Sequence, residues 1–246
     1  MIETGAVMKG VILLIVVLQL ISTHDVTHTA LKFTSTGYIL MRPDMSPLRD
    51  ALTICSWVKR TSNHRSDDRQ YWLSYVASAN YDEIVISDTA WFWLFSDDTT
   101  YTQPTRTTNE WHQICTTWGY STKTKNLYYD GEQIGTEGTG ERKLNTPGSL
   151  MLGQLHKGFG GGRINSAHYF GGELYNTNIW SFQMTSSQVK EMFTQGRCSN
   201  YSLNFKDNSF LSWEDILLKD RQGGVTEIEL EECDTTHHHL EEEEGK

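Results

Sequence analysis

The 246 residues carry a formal net charge of −10, with 37% hydrophobic and 21% charged residues. That is enough apolar chain for one sizeable core or two small ones. The acids are unevenly placed: Glu227, Glu229, Glu231, Glu232, Asp234 and Glu241 to Glu244 stand against Lys246 alone near the end, a balance of −8 that leaves −2 elsewhere. No basic stripe accompanies them, which argues against nucleic acid as a partner.

In chain order, Met8-Lys9-Gly10 followed by the run VILLIVVLQLIS pairs a short basic region with an apolar stretch of signal-peptide length, too short to span a bilayer comfortably. A signal peptide is therefore expected over residues 1–23, and with it a secreted or cell-surface location; a buried or anchoring helix is the alternative. No second apolar run follows, so no membrane span is expected in the rest of this chain.

Strand signals dominate from Leu48 to about Ile179. In QYWLSYVAS, Tyr71, Leu73 and Tyr75 alternate with Trp72, Ser74 and Val76; in AWFWLFS, Trp91, Trp93 and Phe95 alternate with Phe92 and Leu94. Ile114, Thr116 and Trp118 share one face of the next strand. A polar STKTK turn follows, and Leu127 and Tyr129 resume before an Asp130-Gly131 turn. GSLMLGQ and GGELYNTNIWSF complete the set. Short strands at this density predict an all-β fold, a two-sheet antiparallel jelly-roll sandwich. The bland reading of most of the eight tryptophans is core packing.

One helix of about two turns is expected after Thr185, with Gln188 as capping-box partner and Val189, Met192 and Phe193 as its buried edge. The acidic end with His237 to His239 reads as a solvated low-complexity tail, though three histidines can also hold a transition metal. Cys55, Cys115, Cys198 and Cys233 fit no zinc spacing. In an oxidising compartment they predict two disulfides, with three connectivities open. Asn200-Tyr201-Ser202 is a candidate glycosylation site.

The segments LRDALTICSWVKR, SYVASANYDEIVIS, HQICTTWGYSTKTKNLYYDGEQI, GSLMLGQ, GGELYNTNIWSFQMTSSQVKEMF and FLSWEDI resemble, in order and spacing, the pentraxin family over residues 30–218. Cys115 to Trp118 with Asp130-Gly131, and Leu152-Gly153-Gln154, are the most specific part. Residues 219–246 then read as a C-terminal extension. The resemblance implies a concanavalin A/laminin G-like fold and a disulfide between Cys55 and Cys115, with Trp118 in the core close by. That leaves Cys198 for Cys233. Those two cysteines, with Ser212-Trp213-Glu214 between them, are similar to the N-terminal pentraxin-like module of some adhesion G-protein-coupled receptors.

Resemblance to pentraxins also implies a calcium site built from an acidic pair and a Glu-Gln-Asp run after Leu-Gly-Gln. Here the pair would be Asp82 and Glu83, preceded by Tyr81; Leu155, His156 and Lys157 replace the run, and Gly160 to Ile164 bring no carboxylate. Calcium takes six to eight oxygen ligands, so no cofactor is expected, and Asp82 and Glu83 read as turn acids or a vestige of a ligand pair. The glycines from Gly158 to Gly162 lack a following Lys-Ser or Lys-Thr and read as a flexible loop. His112 beside Trp111 lacks a nucleophile pattern and reads as a strand histidine at a sheet edge.

The function expected is a non-catalytic extracellular recognition module for a protein or glycan ligand, free or as the N-terminal part of an adhesion receptor. A homo-oligomer is compatible with it. The competing class is a jelly-roll glycoside hydrolase, which needs paired carboxylates in a cleft; Glu229 and Glu231 show the Glu-x-acid alternation, but they lie beside the acidic tail, outside the aromatic strands.

Overall fold

The computed structural model describes residues 28–61, 69–78, 82–95, 97–98, 104, 107–198, 205, 208–230 and 233. The expected signal peptide, Tyr81, the sequon at Asn200, the three histidines and Glu231 lie outside the described residues.

Two antiparallel sheets pack face to face. The first contains β10 (Glu132–Gly138), β9 (Thr124–Tyr129), β8 (Trp111–Gly119), β3 (Ala51–Arg60), β14 (Gly172–Trp180), β1 (Thr29–Phe33) and β17 (Val225–Glu229) in that order, with β15 (Ser209–Leu211) also pairing β14. The second runs β16 (Arg221–Gln222), β2 (Tyr38–Met41), β11 (Gly148–Leu152), β4 (Tyr71–Ala77), β5 (Asp82–Ser87), β6 (Phe92–Leu94) and β7 (Asp97–Asp98). A separate hairpin joins β12 (His156–Gly158) to β13 (Gly162–Ile164). The sandwich extends past the boundary expected at residue 218, because β16 and β17 add a strand to each sheet. β1 and β2 likewise precede the first strand expected from the pattern.

Period-two alternation decides which side chains meet between the layers. Leu52, Ile54, Trp118 and Leu127 project inward from the first sheet and are fully buried. Phe95, at φ 58, reaches across from the second sheet to Trp118 with ring centroids 5.1 Å apart and planes at 86°. Cys55 and Cys115 are direct partners in the β3–β8 register and are joined as a disulfide. By parity they sit on the opposite, outer face from Trp118. The bridge spans 60 positions, which in the chain-entropy model stabilises by about 4 kcal/mol.

The outer face of the first sheet is covered by the expected helix, α1 (Ser186–Thr194), whose Thr185–Gln188 capping box is complete. Phe193 stacks on Trp57 at 5.8 Å. Val189 and Met192 are fully buried, worth about 1.5–3 kcal/mol each. Asp130 and Gly131, with φ of 50 and 76, form the β9–β10 turn in the left-handed pairing a type I′ hairpin needs. A Cβ on Gly131 would lie 2.8 Å from that of Phe193, so the bare glycine lets the helix rest on the turn. A second, shorter helix not anticipated from the pattern, α2 (Trp213–Leu217), is capped by Ser212 and Asp215. Trp213 is buried and donates its indole N–H to the Thr29 carbonyl at 2.9 Å. Cys198, after α1, is bonded to Cys233.

An aromatic cleft as the candidate functional site

The second sheet turns an unusual set of aromatic residues outward. In β6, Phe92 and Leu94 enter the main core, while Trp93, between them, faces the other way. A bulge between Tyr71 and Leu73 breaks the alternation expected in β4. Trp72 thereby joins Leu73 and Tyr75 in the main core, and Tyr71 is left on the outside. Tyr71, Val85, Trp91 and Leu155 form a second apolar cluster, with Trp93 packed against it. Trp91 meets Trp93 edge-on at 5.3 Å and Tyr71 at 5.8 Å, and Tyr71 meets the His168 ring at 5.4 Å. These are the offset and T-shaped arrangements aromatic quadrupoles favour.

The rings line an open cleft of about 120 Å3, with Asp82, Lys157, Asn165 and His168 as its polar lining. Three polar atoms there, Asp82 Oδ1, Trp93 Nε1 and His168 Nδ1, are buried and have no hydrogen-bond partner among the described residues. Each such atom costs about 1–3 kcal/mol if nothing satisfies it. Burial pushes the Asp82 carboxyl above its ordinary value, and the nearby charges of Lys157 and Arg163 draw it back. Apolar rings around a few convergent polar groups are the usual make-up of a small-ligand site.

The β12–β13 hairpin forms one side of this cleft and is pinned to the sheet by His156. The imidazole is fully buried, 2.6 Å through Nδ1 from Ser74 Oγ and 3.0 Å through Nε2 from Ser149 Oγ. Ser149 also accepts from the Gly160 N–H at 3.0 Å. Burial holds the imidazole pKa down to about 4. The glycines expected as a flexible loop are therefore part of an anchored hairpin, with Gly160 and Gly161 at φ 75 and 86 making its reversal.

Asp82 and Glu83 do not act as a pair, and neither sits in a turn: they open β5, and their side chains part. Asp82 looks into the cleft. Glu83 is fully buried, held by Arg142 Nη2 and Asn145 Nδ2, each 2.7 Å from Oε1. Lys157 stands beside the one acid left, and no three His, Cys, Asp or Glu side chains converge among the described residues. Calcium takes six to eight oxygen ligands, and Asp82 is the one carboxylate among the described residues that line the cleft.

His112 is also placed differently from expectation. β8 runs between β3 and β9, not at a sheet edge. The imidazole faces the interlayer space, stacked on Tyr129 at 4.7 Å, with Nδ1 2.8 Å from Asp130 Oδ2 and Nε2 2.6 Å from Thr107 Oγ1. Asp130 Oδ1 accepts the Gln113 N–H at 2.8 Å, so the group fastens the β9–β10 turn to the strand before it. Glu229 is exposed on β17 at the edge of the first sheet, away from the cleft.

Sequence reasoning passed over Tyr71, Trp91, Trp93 and His168 as site residues. A usable signal was present: Phe92 and Leu94 already account for the core face of β6, which leaves its tryptophan without a core role.

Residues 33–190 match the family model described as the concanavalin A-like lectin/glucanases superfamily. Human neuronal pentraxin-1 is 27% identical over 211 residues, 80% of this chain and 45% of that protein. The human neuronal pentraxin receptor is 27% identical over 191 residues, 74% of this chain and 35% of that protein. The chain thus spans less than half the length of these curated relatives. The native heptameric SAP-like pentraxin from Limulus polyphemus superposes with a TM-score of 0.63 at 17% identity, covering 85% of this chain and 98% of that one. The fold is a pentraxin-like jelly roll.

Proposed function

Because the chain belongs to the concanavalin A-like lectin/glucanases superfamily, we propose that it is an extracellular, non-catalytic recognition module that binds a glycan in the aromatic cleft without calcium. The observation that carries this reading is a cleft walled by aromatic rings and lined by Asp82, Trp93 and His168, each with a buried polar atom that has no partner among the described residues. A pyranose offers hydroxyls that both donate and accept, and an apolar C–H face to lay on an indole. A carboxylate, an indole N–H and an imidazole nitrogen are the complement of such a ring. Cys55–Cys115 and Cys198–Cys233 suit an oxidising, extracellular setting. Such a module would serve equally in a free protein or in the ectodomain of a receptor.

The test is binding of the full chain to a panel of immobilised glycans in millimolar calcium and again in chelator. Binding is expected to be the same in both, and to fall about tenfold or more in Trp93→Ala, a loss of about 1.4 kcal/mol. Binding that requires calcium, or that Trp93→Ala leaves intact, refutes the reading.

A further inference from the structure

The charges around the cleft carry the assignment one step further, on the premise that the cleft is the glycan site. Lys157 and Arg163 are exposed on the β12–β13 hairpin. The Arg163 guanidinium is 2.6 Å from the Lys157 carbonyl, which holds the two residues together, and both act electrostatically on Asp82. On the far side Arg69 lies over the Trp91 ring at 4.5 Å. Beyond the hairpin turn Arg42 lies over Phe159 at 5.6 Å. None of these four cations forms an ion pair with a described acid.

Elsewhere most of the described cations are neutralised closely, as Arg60 is by Asp88, Arg142 by Glu83 and Lys125 by Glu137. In a protein of net charge −10, a concentration of unpaired cations at one cleft is the exception. Among the described side chains there, Lys157 and Arg163 act on the single acid Asp82, and Arg69 adds a cation over Trp91. Asp82 offsets one of them and leaves a positive remainder at the hairpin side.

We infer that the cleft takes a single anionic pyranose, a sugar ring bearing a carboxylate or sulfate, with its ring against Trp93 and its acid group toward Lys157 and Arg163. The size limits the occupant: about 120 Å3 lies below the usual small-ligand range of about 300–1,000 Å3, so the open cleft seats part of one terminal ring and not an extended chain. Asp82 then accepts from ring hydroxyls, and the two hairpin cations supply charge-assisted hydrogen bonds of the stronger kind. Because those cations are solvent-exposed, the attraction weakens with ionic strength.

The experiment compares the full chain against matched glycans that share one scaffold and end in a neutral hexose, its uronic acid or its sulfate ester. The wild type is expected to bind one or both anionic forms at least about tenfold more tightly than the neutral parent. The double variant Lys157→Ala/Arg163→Ala, altered only at exposed positions, is expected to keep the wild-type melting temperature and to lose that preference. Equal binding of neutral and anionic forms, lost in Trp93→Ala, overturns the anionic assignment while the glycan-binding reading stands. A preference for anions that survives Trp93→Ala unchanged overturns it too, since the charge would be acting away from the cleft. Absence of binding to all three overturns the glycan reading and this assignment together. Comparing the uronic acid with the sulfate ester identifies which acid group is read.

Discussion

Acidification should destabilise this fold through one residue, His156. Its imidazole is fully buried between Ser74 and Ser149, and burial lowers its pKa from the ordinary 6.5 to about 4. Between those values the unfolded chain binds a proton that the folded chain refuses. The contribution is intact above pH 6.5 and is lost as the pH falls toward 4, which amounts to about 3 kcal/mol for complete loss. Most of a small domain's stability is only about 5–15 kcal/mol, so the effect is large enough to measure. Urea unfolding of wild type and His156→Gln across this pH range gives the contribution directly. The variant cannot protonate and starts less stable, yet its stability should change by about 2–3 kcal/mol less than the wild type between neutral pH and about pH 4.5. Taking the difference removes Asp82, Asp44 and every other group common to both proteins. If the two curves stay parallel, His156 does not titrate as its surroundings require.

Glu83→Ala should cost about 1–3 kcal/mol by leaving the Arg142 and Asn145 donors without their acceptor, whereas Glu83→Gln keeps an oxygen for them and should cost clearly less; thermal and urea unfolding rank the two. Gly131→Ala should destabilise by about 1–3 kcal/mol, because φ 76 and the 2.8 Å approach to Phe193 leave no place for a methyl group, again read from urea midpoints. Calcium should leave the melting temperature unchanged: a native-state ligand at a hundredfold excess over Kd adds about 2.7 kcal/mol, and a rise of several degrees on adding millimolar calcium would require a working site.

The layers of the sandwich were readable because alternation and turn chemistry are local. Ile114, Thr116 and Trp118 share a face as their spacing requires, and Asp130-Gly131 turns the chain where the dipeptide demands positive φ. The strands β1, β2, β16 and β17 were not readable, since strands of two to five residues carry too few positions to show a period. α2 left a signature that went unused, the Ser212-x-x-Asp215 capping box. The site was least legible. Trp72 and Tyr71 exchange faces through a bulge that no residue pattern announces. Asp82 and Glu83, adjacent in sequence, part because Arg142 and Asn145 arrive from 59 and 62 positions away. Long-range partners of that kind are invisible to any window of sequence.

β1 and β17 lie side by side at the margin of the first sheet, and Cys233 is fastened to Cys198 beside α1, whereas the aromatic cleft opens on the outer face of the second sheet. Polypeptide continuing from β1 or from Cys233 therefore leaves from the sheet opposite the cleft. A tether there leaves the cleft pointing away from whatever carries it. Several copies gathered through their rear surfaces would aim their clefts in a common direction, where modest single-site affinities multiply on a densely decorated surface.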